Sequence, residues 1–502
     1  MGTPLGAGPL QVPADSGKAR QVFGTWDGIF AALYWNGDEE RLIVATDFLG
    51  LFPLYYARQG GCLRIATQTQ AFGSSEPDPG SWASFILLGH TLGDRTLSAD
   101  IRRFPPGNTN VFDGQGRLLV QSESWRYPAR SNVHGVADVL EAARESRDLY
   151  LGQQPAGRAT LLLSGGFDSR FIGCLLRERD VEATALMVDN PGERANVEGL
   201  LARRVGRALG FPIATRCASR DFYSSSEFLS YLRSTDAATP SLGLFISQIH
   251  AFIEENGPVW EGLIPGALLV DLHNPGGGFA EWRRSEGATW ESEKWVAAKS
   301  VFKEPFLDAM RSGFDDQWRE ETAKYSDDAV GIEEFVLRNR SRNRTSINPL
   351  KVFAVDRPVY LIGSTRHFVE VAGSIPFDQK CNFRLYRELM GRFSEVRSIP
   401  FLSGGQLVNG PRPSALYLRY ALRIGVHEFA SKRPRLGRLV PHQSFERYFT
   451  PSIYAEEGFL GGRDDTYVRD DCLSPGSGLS AKWRFHWLAW RDLHSHAREV
   501  FH

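Results

Sequence analysis

Ala159-Thr160-Leu161-Leu162-Leu163-Ser164-Gly165-Gly166-Phe167-Asp168-Ser169-Arg170 is the stretch that decides the fold. Its apolar run, 159–163, shows no alternation, the pattern of a strand buried on both faces. A glycine pair ends the run, and a helical pattern follows over 170–177. The unit then repeats. A second strand over 183–188 leads into a long helix around 195–209 that stops at Gly210. Buried strands alternating with helices predict βαβ units, a parallel sheet and an α/β fold.

The junction at 164–169 is an anion site by its physics. Unpaired N–H groups at a helix start point outward, and the macrodipole adds positive potential. Gly165 and Gly166 let the backbone approach phosphate oxygens. Ser164 and Ser169 bring hydroxyl donors, Phe167 completes the loop, and Asp168 makes sense as a Mg²⁺ ligand bridging to a polyphosphate. The plainer reading is a tight turn with a helix cap at Ser164. No Gly-Lys-Ser/Thr follows, so the loop is not of the Walker type, and Gly-x-Gly-x-x-Gly is absent.

Upstream the texture changes. Residues 1–20, rich in Gly, Pro and Ala, read as a flexible leader. Short β-type runs follow at 29–35, 41–46, 53–56 and 63–67, the first closed by the turn Asn36-Gly37. A helix is expected near 81–88, and a last hairpin turns at Asp113-Gly114-Gln115-Gly116. This is antiparallel texture. Residues 127–134 form a linker, 136–152 carry a helical pattern, and beyond about 220 the pattern is mainly helical.

Composition narrows the classes. At 502 residues the chain calls for two or three domains. A formal net charge of -1 with no basic block gives no reason to expect nucleic acid. No apolar run approaches the roughly 20 residues that span a bilayer, and no secretory signal opens the chain, so a cytoplasmic protein is expected. Cys62, Cys174, Cys217, Cys381 and Cys472 lie far apart without a CxxC pair, which favours reduced thiols over zinc or disulfides. His494 and His496 read as a solvated tail.

Residues 161–170 resemble the pyrophosphate loop of the ATP-pyrophosphatase group, which splits ATP into AMP and pyrophosphate. In that group adenine lies against the second strand, a place matched here by Leu186, Met187 and Val188. Asp47-Phe-Leu-Gly-Leu-Phe-Pro-Leu-Tyr-Tyr56, Ile101-Arg-Arg-Phe-Pro-Pro-Gly107 and Trp125-Arg-Tyr127 resemble successive elements of asparagine synthetases, as do 369–376 and 382–390. The resemblance runs over most of 25–400. It implies an Ntn-hydrolase-like, glutamine amidotransferase type 2-like antiparallel β domain over 21–127, in truncated form. It further implies an ATP-pyrophosphatase synthetase domain with a helical C-terminal part over 135–502.

The same resemblance implies the chemistry. ATP and Mg²⁺ would activate a small-molecule or peptide carboxylate as its adenylate, for attack by an amine or ammonia. Asp168 would act in catalysis and bind metal. Three positions depart from the family pattern. Gly2 stands where glutamine-using members carry a nucleophilic cysteine, so self-supplied ammonia is not expected, and Cys62 lacks the context to replace it. Ala267 takes the place of a second acid, which leaves Asp271 as the candidate ligand, and Lys432 is the candidate for the family's late lysine. Two alternatives stay open: a truncated glutamine-hydrolysing asparagine synthetase, and an impaired homologue serving as a binding subunit. A homodimer is compatible with either reading.

Overall fold

The computed structural model describes residues 2–5, 15–131, 133–153, 158–189, 196–217, 225–239, 257–270, 277–403, 406–431, 433, 466–469 and 479–495. Along the N-terminal part run β1 (Gly2–Leu5), β2 (Asp27–Asn36), β3 (Arg41–Thr46), β4 (Tyr55–Gln59), β5 (Cys62–Ala66), β6 (Arg102–Arg103), β7 (Asn108–Asp113) and β8 (Leu118–Glu123). Five of them pair antiparallel in the order β1-β2-β3-β7-β8, and the others form a smaller antiparallel sheet, β5-β4-β6. Both expected hairpins, at Asn36-Gly37 and at 113–116, are present.

The expected leader is partly structured. Gly2–Leu5 pairs with β2 in the register Gly2↔Phe30, a contact that no local signal announces. Ser16–Thr25 is a helix whose N-terminus is capped by Asp15, which accepts from Lys18 N at 2.7 Å. Ala19 and Phe23 bury against Phe30, Ile43 and Val111 of the sheet.

The helix Pro79–Leu88 shows how local rules set an element. Asp78 caps it by accepting from Ser81 N, proline opens it, and Gly89 ends it in the left-handed conformation. Gly80 and Gly313 let it cross the helix Glu304–Thr322 at close range: a Cβ on Gly80 would lie 2.6 Å from the Gly313 carbonyl carbon. Trp82 on this helix packs with Trp487 and Trp490 of the C-terminal helix Leu479–Ser495.

Later in the chain a parallel sheet forms from β9 (Ala159–Leu162), β10 (Ala183–Asp189), β11 (Ile213–Cys217), β12 (Val259–Trp260) and β13 (Val359–Tyr360). Its order is β11-β10-β9-β12-β13. The molecule is therefore mixed α/β, antiparallel first and parallel later. From β9 the chain steps outward to β10 and β11, then returns to the other side of β9 for β12. Strand order reverses between β9 and β12. In open parallel sheets, the crevice beyond the carboxyl ends of the strands at such a reversal is where ligands bind.

The N-terminal sheets are fastened to the rest by a π-helical run, Val336–Thr345. Arg342 is buried there and donates to the carbonyls of Gly50, Gly93 and Phe104 while pairing with Asp94. Arg103 returns the link by donating to Arg342 O and Asn343 Oδ1. Among the described residues no helix is long and apolar enough to cross a membrane.

Candidate functional site

The loop 164–169 lies at the carboxyl end of β9, beside the strand-order reversal. Its helix, Asp168–Arg177, begins without a side-chain cap at Phe167, so the first-turn N–H groups are left to the loop and to any ligand. The two serine hydroxyls turn inward instead. Ser169 Oγ accepts from Ser164 N at 3.0 Å and lies 3.0 Å from Ser164 Oγ, which in turn accepts from Gly166 N at 3.2 Å. The serines thus shape the loop from within.

Neighbouring elements grip the loop closely. A Cβ on Gly165 would fall 2.9 Å from Glu198 O, at the start of the helix Val197–Ala208. Gly165 O accepts from Leu402 N at 3.1 Å, which ties the loop to the strand β14 (Phe401–Ser403), partner of β15 (Gln406–Val408). Arg170 is buried and donates to Ile399 O (2.6 Å) and Pro400 O (2.8 Å), anchoring the same segment from below. Glycine is required at 165 because the approach is backbone to backbone.

Asp168 is half-buried, its carboxyl set against Gly266, whose Cβ would lie 2.6 Å from Oδ2. Its Oδ1 accepts from the Tyr386 hydroxyl. Burial raises the Asp168 pKa to about 6, the Tyr386 hydrogen bond working in the opposite direction. Across the reversal, directly after β12, stands Glu261. Burial raises its pKa to about 7, and the Asp168 charge adds to the rise. Glu261 Oε2 is buried without a hydrogen-bond partner. Two desolvated carboxylates, one from each side of the reversal, therefore share one crevice.

Several expectations meet the structure here. Leu186, Met187 and Val188 lie on β10 next to the loop; Leu186 pairs with Leu162, and Met187 to Asp189 run past the end of β9. Gly266 rather than Ala267 faces Asp168. Asp271 and Lys432 lie outside the described residues. Gly2 is a strand residue with φ +89°, and a Cβ there would fall 2.3 Å from Ile29 O. Cys62 is exposed at the start of β5. His494, read as solvated, is instead buried between Trp490 O (2.8 Å) and Thr69 Oγ1 (3.2 Å). Lys380 is buried as well, its pKa lowered to about 8 by burial, with both Glu333 oxygens holding it at 3.0 and 2.9 Å. Among the described residues no group of three or more His, Cys, Asp and Glu is placed to hold a metal ion.

Sequence reasoning missed Glu261 and Tyr386. Both lie in segments that resemble the family, but no local signal gives either a role: 261 reaches the loop through the pairing of β12 with β9, and 386 through the packing of its helix. Gly262 offers a direct check of this packing. A Cβ there would fall 2.6 Å from Ser169 N and 2.8 Å from Asp168 C, both fixed backbone. Gly262→Ala should push the two walls apart, with a stability loss of roughly 1–3 kcal/mol read by chemical denaturation.

Comparison with known proteins bears on the N-terminal part. A family model described as a glutamine amidotransferase domain matches residues 10–124, which include β2 through β8. The chain is 26% identical over 156 residues to a probable asparagine synthetase [glutamine-hydrolyzing] of Schizosaccharomyces pombe, covering 30% of this chain and 23% of that protein. It is 24% identical over 159 residues to asparagine synthetase [glutamine-hydrolyzing] 1 of Bacillus subtilis, covering 30% of this chain and 25% of that protein. The chain thus spans about a quarter of the length of the curated relatives it matches. The amidotransferase match, on the antiparallel part, and both relatives agree with the resemblance to asparagine synthetases that the N-terminal segments carry.

Proposed function

We propose that this protein is an amide-forming ligase that activates a carboxylate with ATP. A carboxylate does not react with an amine at neutral pH because its leaving group would be oxide. Attack of the carboxylate oxygen on the α-phosphorus of ATP breaks the α–β bond, releases pyrophosphate and leaves an acyl-adenylate. An amine or ammonia then displaces AMP, losing a proton as the amide forms. The observation that supports this most is the pairing of a glycine loop at an uncapped helix start with two desolvated carboxylates at the strand-order reversal.

The residues present fit a divalent cation. Glu261 Oε2 has no hydrogen-bond partner, and Tyr386 engages only one Asp168 oxygen. Mg²⁺ typically takes one or two carboxylates and completes its shell with substrate phosphates and water, so a larger protein cage is not required. Asp168 and Glu261 are the residues we assign to it, and the ion would neutralise charge building on the departing pyrophosphate. The chain's own share is positioning: the loop backbone holds the phosphates, and β10 beyond the end of β9 offers backbone to the adenine.

We read the antiparallel part, 21–127, as the amidotransferase-type unit and 135–502 as the synthetase unit. The match over 10–124 supports the first of these assignments, and both glutamine and free ammonia are candidates for the nitrogen source. Incubation with ATP, Mg²⁺ and a panel of carboxylic acids, with ammonium in one arm and glutamine in the other, tests both readings by mass spectrometry. The account expects AMP and an amide in at least one arm. ADP and inorganic phosphate as the only nucleotide products would contradict it.

A further inference from the structure

We infer that Tyr386 is a positioning residue that divides its side chain between two tasks, the ring fixing the shape of the 164–169 loop and the hydroxyl choosing which Asp168 oxygen faces the cation. The inference rests on the reading of the site given above. Tyr386 is buried, and it touches two consecutive loop residues by different chemistry. Its ring stacks on Phe167 with centroids 4.5 Å apart and planes 2° from parallel. Its hydroxyl donates to Asp168 Oδ1. That bond commits Oδ1 and leaves Oδ2, the oxygen nearest Gly266, as the one Tyr386 does not engage.

The backbone before Tyr386 is strained in a way that supports a special placement. Asn382 (φ 54°) and Phe383 (φ 60°) are consecutive non-glycine residues in the left-handed region, immediately before the helix Arg384–Gly391. Asparagine tolerates that conformation, but phenylalanine does not adopt it without cost. Strain of this kind persists only where surrounding structure holds it. The Phe383 ring packs edge-on to Phe401 at 5.7 Å, and Phe167 lies 6.1 Å away on the loop. A reversal of hand at 382–383 brings the first turn of the next helix, with Tyr386, onto the loop.

A side chain with only a packing role would affect nucleotide and metal together. The two tasks assigned here separate. Groups that hydrogen-bond to a metal's ligands change metal affinity by about 10–100-fold when removed. Tyr386→Phe keeps the stack and loses the donor. It should leave ATP affinity, measured by calorimetry in EDTA, within about twofold of wild type, while Mn²⁺ binding to the ATP-loaded protein, read by electron paramagnetic resonance, weakens by about tenfold or more. Tyr386→Leu loses both contacts and should weaken both affinities. Equal Mn²⁺ affinity in wild type and Tyr386→Phe would overturn the inference alone, as would parallel losses of ATP and Mn²⁺ in Tyr386→Phe. A wild-type protein that binds neither ATP nor Mn²⁺–ATP would overturn the reading of the site and this inference with it.

Discussion

Asp168→Asn should lower carboxylate-dependent ATP–pyrophosphate exchange by about 10²–10³-fold, the scale of losing one preorganised electrostatic group at a reacting centre. The same change should make the metal-free protein more stable at pH 8. The sign follows from linkage. Burial raises the folded pKa of Asp168 to about 6, above the unfolded value near ~3.9. Between those two values the folded state binds the extra proton. This group's contribution is therefore most favourable below about pH 4 and is lost as pH rises through about 6. At pH 8 the ionised carboxylate is carried at a cost, on the order of 1–2 kcal/mol once its partial exposure is allowed for. Asparagine removes that cost and can keep an acceptor for the Tyr386 hydroxyl. Chemical denaturation at pH 8 and pH 4.5 checks this: the variant's advantage should be present at pH 8 and shrink at pH 4.5. Such opposition of stability and activity is expected of a residue placed for function.

The second large effect concerns His486, on the C-terminal helix. Its ring is buried, Nδ1 lies 3.1 Å from Ala237 O, and Phe85 meets it edge-on at 5.0 Å. Burial lowers its pKa to about 3. The unfolded chain, with a histidine pKa near ~6.5, binds the proton first as pH falls. Stability from the neutral ring is therefore full above about pH 6.5 and is lost progressively toward pH 3. His90, also lowered to about 3 by burial, acts in the same sense. Asp47 and Glu261, raised to about 6 and about 7, act in the opposite sense over part of that range, so the whole protein's acid profile mixes both. His486→Phe isolates one group. Phenylalanine keeps the aromatic contact and gives up one hydrogen bond, about 1 kcal/mol at pH 7. At pH 4.5 the variant should be the more stable protein by up to about 2 kcal/mol, because two pH units of histidine linkage amount to about 3 kcal/mol. Urea midpoints at the two pH values measure it.

Much of this molecule is legible in one short stretch. The run 159–163 and the glycine pair predict β9, the loop and the following helix, and 183–188 predicts β10. Local signals sufficed there because the elements are set by local burial and turn chemistry. The antiparallel hairpins at 36–37 and 113–116 were legible for the same reason. What escaped depends on distance along the chain. β12 and β13 have two residues each, too few for any periodicity, yet β12 brings Glu261 to Asp168. β1 looked like leader because its partner, β2, begins more than twenty residues later. Asp15 caps the helix at 16–25, which begins inside the expected leader. Tyr386 could not be read as a partner of Asp168 because only the left-handed step at 382–383 brings its helix onto the loop.

The central claim is that the crevice between β9 and β12 splits ATP at the α–β bond on behalf of a carboxylate. Exchange of labelled pyrophosphate into ATP by the wild-type protein, with Mg²⁺ and a mixed panel of carboxylic acids, tests it most directly. The account predicts exchange that appears only when an acid from the panel is present and that disappears in Asp168→Asn. Exchange undiminished in Asp168→Asn, or ATP turnover that yields ADP and never returns label from pyrophosphate, would contradict it.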